Sequence, residues 1–275
     1  MSNPAAADRP AEAPILAEGL TRHFGAAVAV DALDLSVATG EIMGLLGPNG
    51  AGKTTTIKML TTLLRATAGS AVVAGADIRS APGIVRRRIG YVPQLVSADG
   101  SLTGRENLEV SARLYHVPRP ERASTIGETL AFMGLEDAAD RMVRTYSGGM
   151  VRRLEIAQAM LHRPAVLFLD EPTVGLDPTA RTMVWDRVRG LREQHGTTVL
   201  LTTHYMNEAD ELCDRIGIML RGRLVEVGRP DDLKRRLAPD ASLEDVFADV
   251  TGAEIETGGT FRDVGRTRRT AKRLG

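Results

Sequence analysis

Short apolar runs alternate with amphipathic stretches through most of this chain. In residues 28–37, Leu33, Leu35 and Val37 alternate with less apolar neighbours, the period-two pattern of a half-buried strand. The run Glu41-Ile42-Met43-Gly44-Leu45-Leu46 is apolar after its first residue and predicts a buried strand. Residues 47–52 break it as a loop. From 53 to 64 the apolar side chains Ile57, Leu60, Leu63 and Leu64 fall at helical spacing. Strand, glycine loop and helix therefore follow in order.

Residues 104–163 predict a mostly helical stretch. Leu108, Ala112 and Tyr115 share one face, as do Ile126, Leu130 and Met133, and then Leu154, Ala157 and Leu161. Strand-like runs return at 165–169, 197–202 and 216–220, with a helix over 179–194 between the first two. Arg221-Gly222-Arg223 turns the chain into Leu224-Val225-Glu226-Val227, a hairpin signal. Buried strands alternating with helices imply an α/β fold with a mainly parallel sheet, and the helix-rich middle reads as an insertion. Residues 1–14, rich in Ala and Pro, read as a disordered lead-in. Residues 251–275, ending in Arg268-Arg269-Thr270-Ala271-Lys272-Arg273, read as a flexible basic tail.

Composition narrows the function. The 35 basic and 35 acidic residues balance, which argues against a protein that coats nucleic acid. Cys213 is the only cysteine, so no internal disulfide framework exists and a reducing cytosol is the natural setting. It is expected to fill space on a helix. No stretch approaches the ~18–20 apolar residues that cross a bilayer, so work at a membrane would need another chain to supply the pore.

Gly47-Pro48-Asn49-Gly50-Ala51-Gly52-Lys53-Thr54 carries the chemistry. It fits the phosphate-binding loop pattern in full. Its glycines let backbone N–H groups point inward as an anion nest, and the helix that follows adds a partial positive charge. Lys53 should reach the β- and γ-phosphates of a nucleotide. The Thr54 hydroxyl suits Mg²⁺, and Thr55 can bond phosphate. Chance would produce this pattern in roughly one chain in a hundred at average residue frequencies. The strand before it and helix after it lower those odds further.

The strand Val166-Leu167-Phe168-Leu169 ends in Asp170 and Glu171. In isolation such a pair is an ordinary strand end. After a phosphate loop, Asp170 fits a Mg²⁺ ligand acting through water, and Glu171 fits the group that deprotonates the attacking water. Pro172 is expected to hold Glu171 extended. Ser147-Gly148-Gly149, ahead of a helical run over 151–162, forms a second helix N-terminus suited to an anion. Taken singly, it is a capped helix.

Together these motifs resemble the ABC ATPases. Tyr146-Ser147-Gly148-Gly149-Met150 is similar to that family's signature, with Tyr for Leu and Met for Gln. Gln94 in Tyr91-Val92-Pro93-Gln94 resembles the Q-loop, Gly175-Leu176-Asp177-Pro178 the D-loop, and His204 the switch histidine. Phe24 stands where the family stacks an aromatic, more often Tyr, on adenine. The resemblance covers residues 15–228. The version Tyr-Ser-Gly-Gly-Met followed by Arg152-Arg153-Leu154-Glu155, with Thr202-Thr203-His204-Tyr205-Met206 and Ser242-Leu243-Glu244-Asp245-Val246-Phe247, resembles the daunorubicin-resistance and nodulation-factor exporter branch.

The resemblance implies a P-loop NTPase with a mainly parallel core sheet, an N-terminal antiparallel β subdomain and an inserted helical subdomain. The ATPase domain would span 15–250 and the helical part about 95–163. It implies ATP and Mg²⁺ as cofactors, with Thr54, Asp170 and Gln94 at the metal and Glu171, His204 and Gln94 around the attacking water. It implies a head-to-tail homodimer in which Ser147, Gly148, Gly149 and Asp177 face the partner's ATP. It also implies a separate integral-membrane permease that would hold the chain at the cytoplasmic face of the membrane, with export of a drug-like, lipid or glycolipid compound. Competing readings are a soluble ABC protein acting on DNA or ribosomes, an importer subunit, and a regulatory module without catalysis. No long coiled coil and only one ATPase domain are visible, and Lys53, Glu171 and His204 are intact.

Overall fold

The computed structural model describes residues 13–252. The expected lead-in and tail fall almost entirely outside them, although Thr251 closes a helix.

Two sheets organise the chain. One is antiparallel, built from β1 (Ile15–Phe24), β2 (Ala27–Val37), β4 (Ala68–Val73) and β5 (Ala76–Asp77) in the order β2-β1-β4-β5. The other has six strands: β3 (Ile42–Leu46), β6 (Ile89–Val92), β7 (Val166–Asp170), β8 (Thr198–Thr203), β9 (Arg215–Leu220) and β10 (Arg223–Gly228). Its order is β10-β9-β3-β8-β7-β6, and only the β9–β10 pair is antiparallel. The helices are α1 (Lys53–Leu60), α2 (Pro82–Arg88), α3 (Gly104–Leu114), α4 (Arg122–Met133), α5 (Gly148–Met160), α6 (Pro178–His195), α7 (Met206–Leu212), α8 (Pro230–Leu237) and α9 (Leu243–Thr251). The fold is thus α/β with an antiparallel N-terminal sheet and a parallel-rich core.

β3, β7 and β8 are buried along their whole length, as expected of parallel strands covered on both faces. Alternate side chains feed different cores. Met43, Leu45, Phe168, Leu200 and Met219 pack with Ile15, Leu20 and Leu33 of the antiparallel sheet and with Ile57 and Leu60 of α1. Leu46, Leu167, Leu169, Val199 and Leu201 pack against the helical side, including Leu108, Leu130 and Leu154.

Local chemistry sets several element ends. α1 stops at Leu60 rather than at 64: the Thr61 hydroxyl donates to the Ile57 carbonyl at 2.8 Å, and Thr62 turns to φ 64°. Ser147 caps α5, which starts at Gly148, earlier than expected. Asp177 caps α6 by accepting from the Ala180 N–H at 2.9 Å, with Pro178 next. Arg221 and Gly222, both at positive φ, make the β9–β10 turn.

α7 is tied to α6 through the buried Glu208. One of its oxygens accepts from Thr173 Oγ1 at 2.7 Å and from Trp185 Nε1 at 2.8 Å. Cys213 is buried at the C-terminal cap of α7, where a Cβ on Gly44 of β3 would come within 2.7 Å of its Sγ. Gly44→Ala is expected to overpack this contact and lower stability by about 1–3 kcal/mol. Adding Cys213→Ala should restore part of that loss in urea unfolding. Additive destabilisation by the two substitutions would show that the clash lies elsewhere.

Candidate active site

Parallel pairing brings the site together. Leu46 lies beside Thr203, Asp170 beside Thr202, and Val92 beside Leu169. The segments leaving β3, β6, β7 and β8 therefore emerge at one edge of the sheet, where open α/β sheets bind ligands. They are the phosphate loop, Gln94, Glu171 and His204.

The loop ends in Gly52, a left-handed residue at φ 104° that starts α1. Lys53 is buried and points back into the loop, donating to the carbonyls of Gly47 at 2.7 Å and Pro48 at 3.1 Å. Its ammonium also lies 3.4 Å from Glu171 Oε1. Burial lowers the Lys53 pKa, while the carboxylates of Glu171 and Asp170 oppose that shift. A cleft of about 470 Å³ is lined by residues 48–55, Ala29, Gln94 and Glu171.

Asp170 Oδ1 accepts from Thr54 Oγ1 at 3.0 Å and from Thr202 Oγ1 at 2.6 Å. Thr202 Oγ1 in turn accepts from the Glu171 N–H at 3.0 Å. Thr202 is fully buried and paired with Asp170 across β7 and β8; the sequence places it in the Thr202-Thr203-His204 run but assigns it no role in the site.

Glu171 departs from expectation. Pro172 does not hold it extended: its φ is 48°, the left-handed region that β-carbon sterics disfavour. Tertiary contacts override the local preference. The backbone N–H is held by the carbonyl and hydroxyl of Thr202. The carboxylate meets Lys53, the Gln94 Nε2 donor at 3.2 Å and His204 Nδ1 at 3.3 Å. Residues kept in such a conformation by surrounding contacts cluster at functional sites.

Other predicted residues lie apart from this cleft. Ser147 Oγ accepts from the Met150 N–H at 3.3 Å. A Cβ on Gly149 would approach Ala180 Cβ to 2.7 Å, so the start of α5 is seated directly on the start of α6, beside Asp177. The two signature departures have local reasons. The Tyr146 hydroxyl donates to the Ala138 carbonyl at 2.6 Å, and the partly buried Met150 packs against the helical core. Phe24, at the β1–β2 turn, is 48% exposed with the Arg22 guanidinium 4.5 Å from its ring centre. The same hairpin lines the cleft with Ala29 rather than Phe24.

A family model described as "ABC transporter" matches residues 30–174. The chain belongs to the ABC transporter family. Its P-loop domain is that family's ATP-binding and ATP-hydrolysing cassette. Among its ABC relatives, the daunorubicin/doxorubicin resistance ATP-binding protein DrrA of Streptomyces peucetius is 50% identical over 219 residues, 80% of this chain and 66% of that protein. The Nod factor export ATP-binding protein I of Ralstonia nicotianae is 43% identical over 221 residues, 80% of this chain and 68% of that protein. The solved ATP-binding subunit of an ABC transporter superposes with a TM-score of 0.77 at 28% identity, covering 86% of this chain and 99% of that one. A dimeric ATP-binding cassette in a post-hydrolysis state with ADP and Pi superposes with a TM-score of 0.70 at 25% identity, covering 78% of this chain and 98% of that one.

Within this ABC cassette, Thr202 links the Asp170 carboxylate to the backbone of Glu171. Thr202→Val keeps the shape but leaves Asp170 and the Glu171 N–H each short of a partner. It is expected to cost about 1–3 kcal/mol of stability and to lower ATP turnover about 10–100-fold. Phosphate release by folded protein measures the second effect. Unchanged turnover would show that the carboxylates keep their places without the hydroxyl.

Proposed function

We propose that this chain is the ATP-hydrolysing subunit of an exporter that drives a drug-like, lipid or glycolipid compound through a separate permease. The observation that carries the catalytic part is the convergence of Lys53, Gln94 and His204 on a Glu171 held at φ 48°. The export part is supported by relatives whose names specify daunorubicin resistance and Nod factor export.

Glu171 is the general base. Gln94, which donates to its Oε2, and His204, whose Nδ1 lies 3.3 Å from its Oε1, orient it toward a water in the cleft. Lys53 binds the β- and γ-phosphates, the backbone of residues 47–52 cradles them, and Thr55 adds a hydroxyl. Phe24 offers an exposed ring to the adenine at the hairpin whose Ala29 lines the cleft.

The residues present fit Mg²⁺. Among the described residues no group of three or more His, Cys, Asp or Glu could hold a metal. Mg²⁺ binds commonly through one or two protein oxygens plus phosphate and water, and the adjacent Thr54 hydroxyl and Asp170 carboxylate supply those oxygens, with Gln94 beside them. Once bound, it would neutralise charge on the phosphates.

The chain pairs head to tail with a second copy. Ser147, Gly148, Gly149 and Asp177 lie on one surface formed by the starts of α5 and α6, outside their own phosphate cleft. There they can cap the nucleotide on a partner's loop. The dimeric cassette with ADP and Pi supports this pairing. The permease is expected near Leu95 and Val96, which follow Gln94 and are 81% and 68% exposed. No helix among the described residues is long and apolar enough to cross a membrane, so attachment to the cytoplasmic face would come through that partner. The working cassette is taken as 15–250, with 95–163 as its helical part.

Glu171→Gln should bind ATP but turn it over about 10²–10⁴-fold more slowly, and ATP should shift it from monomer to dimer in light scattering. Turnover at the normal rate would remove Glu171 as the base. ATP binding without dimerisation would show that the permease is needed to bring the two cassettes together.

A further inference from the structure

Arg152 and Glu155 sit at i, i+3 on α5, and both are buried, at 6% and 3% exposure. Their partners lie about sixty residues earlier in the chain. Arg152 donates to the backbone carbonyl of Pro93 at 2.8 Å and to that of Gln94 at 3.2 Å. Glu155 accepts from the Ser97 N–H and from Ser97 Oγ, the latter at 3.0 Å. The pair is closed by Arg152 Nη1 and Glu155 Oε2 at 3.1 Å.

One ion pair thus holds the backbone of the Gln94 segment on both sides of the exposed Leu95 and Val96. Nothing in helix formation requires a buried arginine and glutamate here, and burying two charges is costly unless each is well bonded. Their hydrogen bonds run mainly to the loop. Gln94 then projects from that loop to Glu171 Oε2.

We propose that Arg152 and Glu155 are positioning residues that clamp the Gln94 loop to α5, so that Gln94 reaches Glu171 only when α5 is in place. This rests on the roles of Gln94 and Glu171 given above. The same helix begins at Ser147 and Gly149, the end assigned to the partner's nucleotide. A shift of α5 when that nucleotide binds or leaves would carry the Gln94 loop with it. The clamp therefore links the occupancy of one ATP site to the alignment of the base in the other.

The test uses the full chain and steady-state ATP hydrolysis by Arg152→Lys, Glu155→Gln and Gln94→Ala, singly and with each clamp substitution combined with Gln94→Ala. Assays run at a temperature where circular dichroism shows each variant folded. Arg152→Lys keeps a charge but loses the fork, and Glu155→Gln keeps an acceptor but loses the charge. Each is expected to lower kcat about 10–100-fold with the KM for ATP within about two-fold of the parent, and to add little in the Gln94→Ala background. If Arg152→Lys does not fold, Arg152→Gln combined with Glu155→Gln, which leaves no unpaired buried charge, takes its place. Full kcat in folded clamp variants, or losses that multiply with that of Gln94→Ala, would overturn the clamp. Full kcat in Gln94→Ala alone would overturn the underlying assignment of Gln94 instead.

Discussion

The hydrogen bond from Thr202 to Asp170 depends on β7 and β8 running parallel in a single register, and the rest of the site depends on it. A one-residue slip would turn every side chain of β7 to the opposite face. Asp170 would then lose Thr202 and Thr54, and Phe168 would leave one core for the other. The buried alternation that sorts Leu167, Phe168 and Leu169 between two cores thus also fixes the carboxylate against the phosphate loop. Packing and chemistry are specified by the same residues.

Charge is arranged with similar economy. Lys53, Asp170 and Glu171 are all buried, and the ammonium is shared between loop carbonyls and the Glu171 carboxylate. Burial alone would push the lysine towards shedding its proton, and the two carboxylates oppose that. Phosphate oxygens arriving in the cleft would compete for the same ammonium. As Lys53 turned to them, Glu171 would lose a cationic neighbour and keep Gln94 and His204 beside it. Nucleotide entry and the parting of Lys53 from Glu171 would then be one exchange of partners.

Much of this was legible from sequence where the signal is local. The glycines and lysine of the phosphate loop, the acidic pair after an apolar run, the Ser147 cap and the Arg221-Gly222 turn each announce themselves within a few residues. β1 did not: its pairing with β2 shifts register between Ala17 and Leu20 and again near Arg22, which spoils any simple alternation. β6 is only Ile89–Val92, too short for periodicity to detect. Hydrophobic spacing would carry α1 on to Leu64, although the Thr61 hydroxyl ends the helix. At Glu171, Pro172 states a local preference for extended backbone that the contacts of Thr202, Lys53, Gln94 and His204 outweigh. Arg152 and Glu155 were visible as residues but not as a clamp, since their partners are distant backbone groups that no pattern marks.

Trp185 is the only tryptophan in the chain. Its indole N–H is fixed to Glu208, on the helix that directly follows His204, and the same carboxylate oxygen holds Thr173, just beyond Glu171. The ring is buried, so its emission depends on whether that three-way junction stays closed and dry. The molecule therefore carries an intrinsic optical probe whose colour follows the segments that carry Glu171 and His204, with no label attached.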